Sequence, residues 1–291
     1  MRWRGGKRYG NIEDRRGVSA GRAGGGISIG AIAIVLIGYF VFGVDPATLI
    51  GVVQQGQGGY STQQAGQHGT PDDERGQFVD TILSSTTDVW SALFAAEGKT
   101  YRQSGPLVLY TQATGTRCGM GQSAMGPFYC PADERIYIDL VFFDELATRY
   151  GAPGEFAQAY VIAHEVGHHV QTVLGISRQV LAARQNARSE AEANRYSVMQ
   201  ELQADCYAGV WAANAEAASN GGIVIERGDL EDGLQAAHAI GDDTLQKRGR
   251  GHVVPDSFTH GTSAQRMEWL RRGYDTGDPA ACDTFSDASL R

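Results

Sequence analysis

The chain has 291 residues, enough to bury a full core, so a miniprotein held only by disulfides is excluded. Its 39 glycines follow no G-X-Y period and accompany only 8 prolines, which excludes collagen. The net charge of −8 hides a division: Arg2, Arg4, Lys7, Arg8, Arg15, Arg16 and Arg22 against Glu13 and Asp14 give +5 before residue 23, and the remainder carries −13.

Residues 1–22 are expected to form a basic cytoplasmic tail. The run AGGGISIGAIAIVLIGYFVFGV, residues 23–44, contains no charged side chain and matches the roughly 20 residues that a helix needs to cross a hydrocarbon core. It is longer than a signal-peptide core and ends without a small-residue cleavage site, so an uncleaved transmembrane helix is expected. The positive-inside bias then places the N-terminus in the cytoplasm of a single-pass inner-membrane protein, with everything after residue 45 in the periplasm or outside the cell. The −13 of that exported part argues against nucleic acid as a partner.

Residues 45–76 include a Gly/Gln-rich stretch almost without large apolar side chains, which predicts a flexible linker in which His68 is solvated. A globular domain is expected over residues 77–291. Helical periodicity covers 77–97, short strands cover 107–110 and 135–140, and helices follow over 154–174, 178–218 with one break, 229–246 and 263–272. The predicted class is α+β, mainly helical with a small sheet.

The chemistry concentrates in VIAHEVGHHVQ, which contains H-E-x-x-H as His164, Glu165 and His168. Residues four apart on a helix lie about 40° from each other, so both imidazoles can reach one ion, with Glu165 beside it where a base for an activated water belongs. Chance would produce the pattern in about one chain in a hundred of this composition. His169 points about 140° from His164 and is assigned to packing; His238 and His252 receive no role.

Two imidazoles leave zinc short of the three protein ligands usual in a catalytic site. Glu201 in ELQADCYAG is the candidate third ligand, and Asp205, one turn on, is the candidate acceptor for a ligand histidine's N–H. The x-x-G-x-x-H that would supply a third histidine is missing after His168.

The combination of HEVGHH and ELQADCYAG resembles the gluzincin type of zinc metallopeptidase. With CGMGQSAMGPFYCPADERIYIDLVFFDEL and DSFTHGTSAQRMEWLRRGY, the chain resembles more closely the bacterial, membrane-anchored neutral zinc metallopeptidases. The resemblance implies a zincin-like fold, bound Zn2+ and hydrolysis of a peptide or protein substrate. It also implies that His260 steadies an oxyanion, while Arg266 is expected to orient Glu165 or Glu201 through a charge-assisted bond. The strand RIYIDL resembles the edge on which such peptidases lay an extended substrate.

Cys118, Cys130, Cys206 and Cys282 all follow the apolar run, and their even number in an exported domain favours disulfides. Three pairings are possible. The short Gly/Pro-rich loop favours Cys118 with Cys130, leaving Cys206 with Cys282. The alternative to an enzyme is a zinc-binding but inactive peptidase-like scaffold in the cell envelope, although a purely structural zinc site has no use for Glu165.

Overall fold

The computed structural model describes residues 1–17, 66–226 and 228–290. In chain order these form β1 (Ile12–Asp14), β2 (Gln67–His68), α1 (Glu74–Ala96), β3 (Leu107–Tyr110), β4 (Ala113–Thr116), β5 (Gly119–Gln122), β6 (Phe128–Cys130), β7 (Arg135–Asp139), α2 (Val141–Thr148), α3 (Glu155–Val173), α4 (Ile176–Gln185), α5 (Glu190–Ala218), α6 (Asp229–Ala239), α7 (Asp242–Arg250) and α8 (Ser263–Thr276). The class is α+β, as expected.

Five strands form one sheet in the order β2-β1-β3-β7-β6. The inner three run parallel, and β2 and β6 close the edges antiparallel. Every residue of Leu107–Tyr110 is buried, the continuous apolar run of a strand covered on both faces. The RIYIDL segment, expected at the edge, lies inside the sheet between β3 and β6. The edge on that side is β6, whose three residues are too few to announce it by periodicity and which is tied through Cys130 to Cys118 at the turn of the β4–β5 hairpin.

The helix boundaries follow their capping chemistry. α1 begins at Glu74 because the Asp73 side chain accepts the Gly76 N–H. The long 178–218 pattern breaks once, and Ser189 restarts it by accepting from Glu192 N. The 229–246 pattern also breaks, at Gly241, where a side chain would collide with Ser263. α8 opens with a capping box in which Thr262 and Gln265 satisfy each other's backbone.

The buried core lies between the sheet and the helices, with Trp90, Trp211, Phe156 and Tyr160 among its largest fully enclosed side chains. α8 crosses α5 at backbone contact, because Gly209 and Gly273 carry no Cβ to meet the Leu270 and Cys206 carbonyls. The Cys206–Cys282 disulfide, with its Cα atoms 5.6 Å apart, ties α5 to the turn that follows α8. Both expected pairings are present, and there are no free cysteines among the described residues.

The unit has different boundaries from those expected. Residues 1–17 are packed into it rather than forming a separate tail: Ile12 is fully buried, and Trp3 meets Phe78 edge-on at 5.2 Å and donates to Glu155 Oε1. Residues 66–76 are not linker either, since they form β2 and the first turn of α1. His68 is exposed there as the strand partner of Glu13. Both corrections have one cause: the contacts that hold these segments come from residues far away in sequence. The apolar run 23–44 and the rest of the linker lie outside the described residues. Among the described residues, no helix is long and apolar enough to cross a membrane.

Candidate metal centre

α3 carries His164, Glu165 and His168 through the middle of the molecule, and α5 crosses it with Glu201 and Asp205. Gly167, between the histidines, permits the crossing: a Cβ there would sit 3.1 Å from the Ala204 backbone. The imidazole rings of His164 and His168 are nearly perpendicular, with centroids 4.8 Å apart. His164 Nε2 lies 3.2 Å from Glu201 Oε2, and His168 Nε2 lies 3.5 Å from Glu201 Oε1. Ligand atoms of the three residues all fall within 4.8 Å of one another. Zinc with bonds of about 2.0–2.1 Å in tetrahedral geometry separates its ligand atoms by about 3.3 Å, so the donor set fits that ion.

The opposite ring nitrogens are engaged in a way that turns each Nε2 toward Glu201, where it can give its lone pair to an ion once its proton is displaced. His164 Nδ1 donates to Asp205 Oδ1 at 2.7 Å, and His168 Nδ1 donates to the Gln171 side-chain oxygen at 2.9 Å. Gln171 is itself anchored by donating to the Gln200 carbonyl at 2.7 Å and to Gln203 Oε1 at 3.0 Å.

Asp205 is fully buried and sits at the centre of a wider network. Arg266, 3% exposed, grips both its oxygens, with Nε to Oδ2 at 2.9 Å and Nη2 to Oδ1 at 3.0 Å. Tyr160 donates to Asp205 Oδ1 at 2.6 Å and accepts from Arg266 Nη2 at 3.0 Å. Arg266 therefore orients Asp205 rather than the expected Glu165 or Glu201. The guanidinium fork finds both carboxylate oxygens only because α8 crosses α5 so closely.

The electrostatics favour a cation between the ligands. Despite burial, Glu201 is held well below the usual carboxylate range by His168 and His164. Burial also works against the His168 imidazolium, but Glu201 and Glu165 overcome it and lift its pKa to about 9. Asp205, with burial opposing and Arg266 and His164 prevailing, titrates at about 2 and stays ionised. Glu165 moves the other way: burial lifts its carboxyl above the ordinary range against the pull of His168 and His164. It is 7% exposed, and raised basicity is what a proton-accepting carboxylate needs.

His260 stands in the loop before α8, its side chain 43% exposed. Asp242, at the start of α7, accepts the backbone N–H groups of Thr259, His260 and Gly261 at 2.8, 2.7 and 3.1 Å. Its other oxygen lies 3.3 Å from His260 Nδ1. Burial lowers the basicity of His260, but Asp242 and Glu201 outweigh it and raise its pKa.

His169 is completely buried on the opposite side of α3, donating to the Arg102 carbonyl at 2.7 Å and accepting from the Tyr129 hydroxyl at 3.1 Å, as a packing residue should. Gln171, Tyr160 and Asp242 were not singled out from the sequence. Gln171 carried a usable signal, standing one turn after His168 on the same face, whereas Tyr160 and Asp242 are defined by contacts across helices.

The family model described as "Putative neutral zinc metallopeptidase" matches residues 1–285. "Uncharacterized protein YpfJ" of Escherichia coli K12 is 50% identical over 296 residues, covering 98% of this chain and 99% of that protein. "Uncharacterized protein Rv2575" of Mycobacterium tuberculosis is 43% identical over 214 residues, covering 71% of this chain and 69% of that protein. No solved structure matches.

Proposed function

The chain belongs to the neutral zinc metallopeptidase family, and we propose that it hydrolyses peptide bonds in an extended peptide or protein substrate. The observation that carries this reading is the pairing of a three-residue donor set, each histidine braced from behind, with a buried Glu165 raised in basicity beside it. His164, His168 and Glu201 would hold Zn2+. When bound, the ion supplies Lewis acidity, polarising the scissile carbonyl and acidifying water.

Glu165 takes the proton of the attacking water and delivers it to the leaving amine. Asp205 and Gln171 keep the two Nε2 lone pairs aimed at the site, and Arg266 and Tyr160 keep Asp205 in place. His260, made more basic by Asp242 and Glu201, donates to the oxygen on which negative charge develops. The free edge of β6 offers backbone groups for an extended substrate, the role first expected of β7.

Two disulfides support a domain that matures outside the cytoplasm, and the apolar run 23–44 supports attachment to a membrane. A zincin-like fold, a peptide substrate, a membrane contact and no nucleic-acid partner complete the proposal.

The test uses the full chain purified in detergent. It is expected to hold about one zinc and to cleave casein or a peptide library, and Glu165→Gln should keep the metal and lose cleavage. Full activity in that variant would overturn the base assignment. A protein that holds zinc and cleaves nothing would favour the inactive scaffold.

A further inference from the structure

The basic segment at residues 1–17 is a structural part of the domain. β1 is an inner strand, parallel to β3 with Ile12 opposite Leu107 and Asp14 opposite Leu109, and antiparallel to β2 with Asp14 opposite Gln67. Arg2 and Val224 exchange backbone hydrogen bonds at 3.0 and 2.9 Å. Buried Glu13 bonds Arg15 at 2.7 Å and Arg135 of β7 at 2.6 Å.

The cations expected to mark a cytoplasmic tail are engaged within the domain. Arg2 bonds Glu226, Arg4 bonds Glu74, Lys7 bonds Asp88 and Arg8 bonds Thr81. Arg15 reaches Thr114, and Arg16 joins Asp14 and Asp73. The net positive charge of residues 1–17 therefore meets acidic and polar groups of the rest of the domain at short range.

The chain leaves and re-enters this unit at one place. Gly66 N donates to Glu13 Oε1 at 3.3 Å, at the middle residue of β1, just before the chain runs on toward Gly17. Residues 23–44 are long enough for one crossing of a bilayer, but the polar, Gln-rich run from 45 to 65 has no second stretch of the length a return crossing needs. A single crossing would part β1 from β2 and β3. It would also leave Arg135 without Glu13, and Phe78 without Trp3.

We propose that residues 1–17 and residues 66–290 lie on the same side of the membrane. This replaces the single-pass arrangement with a cytoplasmic N-terminus, and it does not depend on the proposed peptidase activity.

Single cysteines report the arrangement, because the native cysteines are all in disulfides. Lys7→Cys and Glu268→Cys place thiols at side chains that are 54% and 63% exposed. Each full-length variant is treated with a membrane-impermeant maleimide in spheroplasts, and its labelling in detergent serves as its own reference. The same relative labelling at both positions is expected, and which side they share follows from whether both react before permeabilisation. Lys7→Cys protected while Glu268→Cys reacts, or the reverse, would overturn the proposal. Arg4→Cys, also exposed, repeats the N-terminal measurement if Lys7→Cys fails to accumulate.

Discussion

Around His164, donors and acceptors converge: Asp205 alone takes bonds from His164, Tyr160 and Arg266 at distances between 2.6 and 3.0 Å. Around Ile12 the chain is held by strand pairing, apolar contact and ion pairs distributed along residues 1–17. The first region concentrates its energy in a few groups, each of which must be present. The second spreads it, so single changes weaken the fold without disabling the chemistry. Perturbing the first region should therefore move metal binding and stability together, whereas perturbing the second should move stability alone.

Asp205→Asn is the change expected to matter most. It leaves the buried Arg266 charge without its partner, which typically costs about 3–5 kcal/mol, and loosening a metal-supporting acceptor typically lowers affinity about 10- to 100-fold. Urea unfolding and zinc competition with a chelator should both move. If neither does, the network is not what holds His164.

Ile12→Ala should cost about 2–5 kcal/mol in unfolding and leave zinc stoichiometry and cleavage per folded molecule unchanged. Loss of bound zinc at full folding would mean that the two regions are coupled more tightly than their separation suggests.

A smaller and more local effect is expected in acid. The depressed pKa of Asp205 means that its contribution to stability is fully present above pH about 4 and is lost as pH falls through about 2. Acid unfolding of chelator-treated protein should therefore retain a step near pH 2 that Asp205→Asn lacks. An identical profile in the variant would show that the Arg266 pairing contributes nothing to acid resistance.

The same contrast explains what could be read from residues alone. His164, Glu165 and His168 share a helix, where spacing directly sets direction, and Glu201 and Asp205 repeat that logic two helices later. Strands of two or three residues such as β1, β2 and β6 have too few alternations to register, and each exists because another strand pairs with it. The N-terminal cations looked like a topology signal because a local window sees their charge but cannot see Glu226, Glu74 or Asp88 opposite them. Arg266 was recognisable as a charge meant for a carboxylate, but the choice of Asp205 over Glu201 needed the contact between α5 and α8.

By itself the sequence determined the helix that carries His164, Glu165 and His168, the Glu201 carboxylate that joins them in a cluster able to hold a metal, the mainly helical class and the family, since these follow from periodicity and motif within short windows. Tertiary structure decided which carboxylate Arg266 holds, that β6 rather than β7 lies at one edge of the sheet, and that residues 1–17 belong to the folded unit. Those outcomes depend on groups brought together across tens to hundreds of residues, where burial and pairing, rather than local preference, select the arrangement.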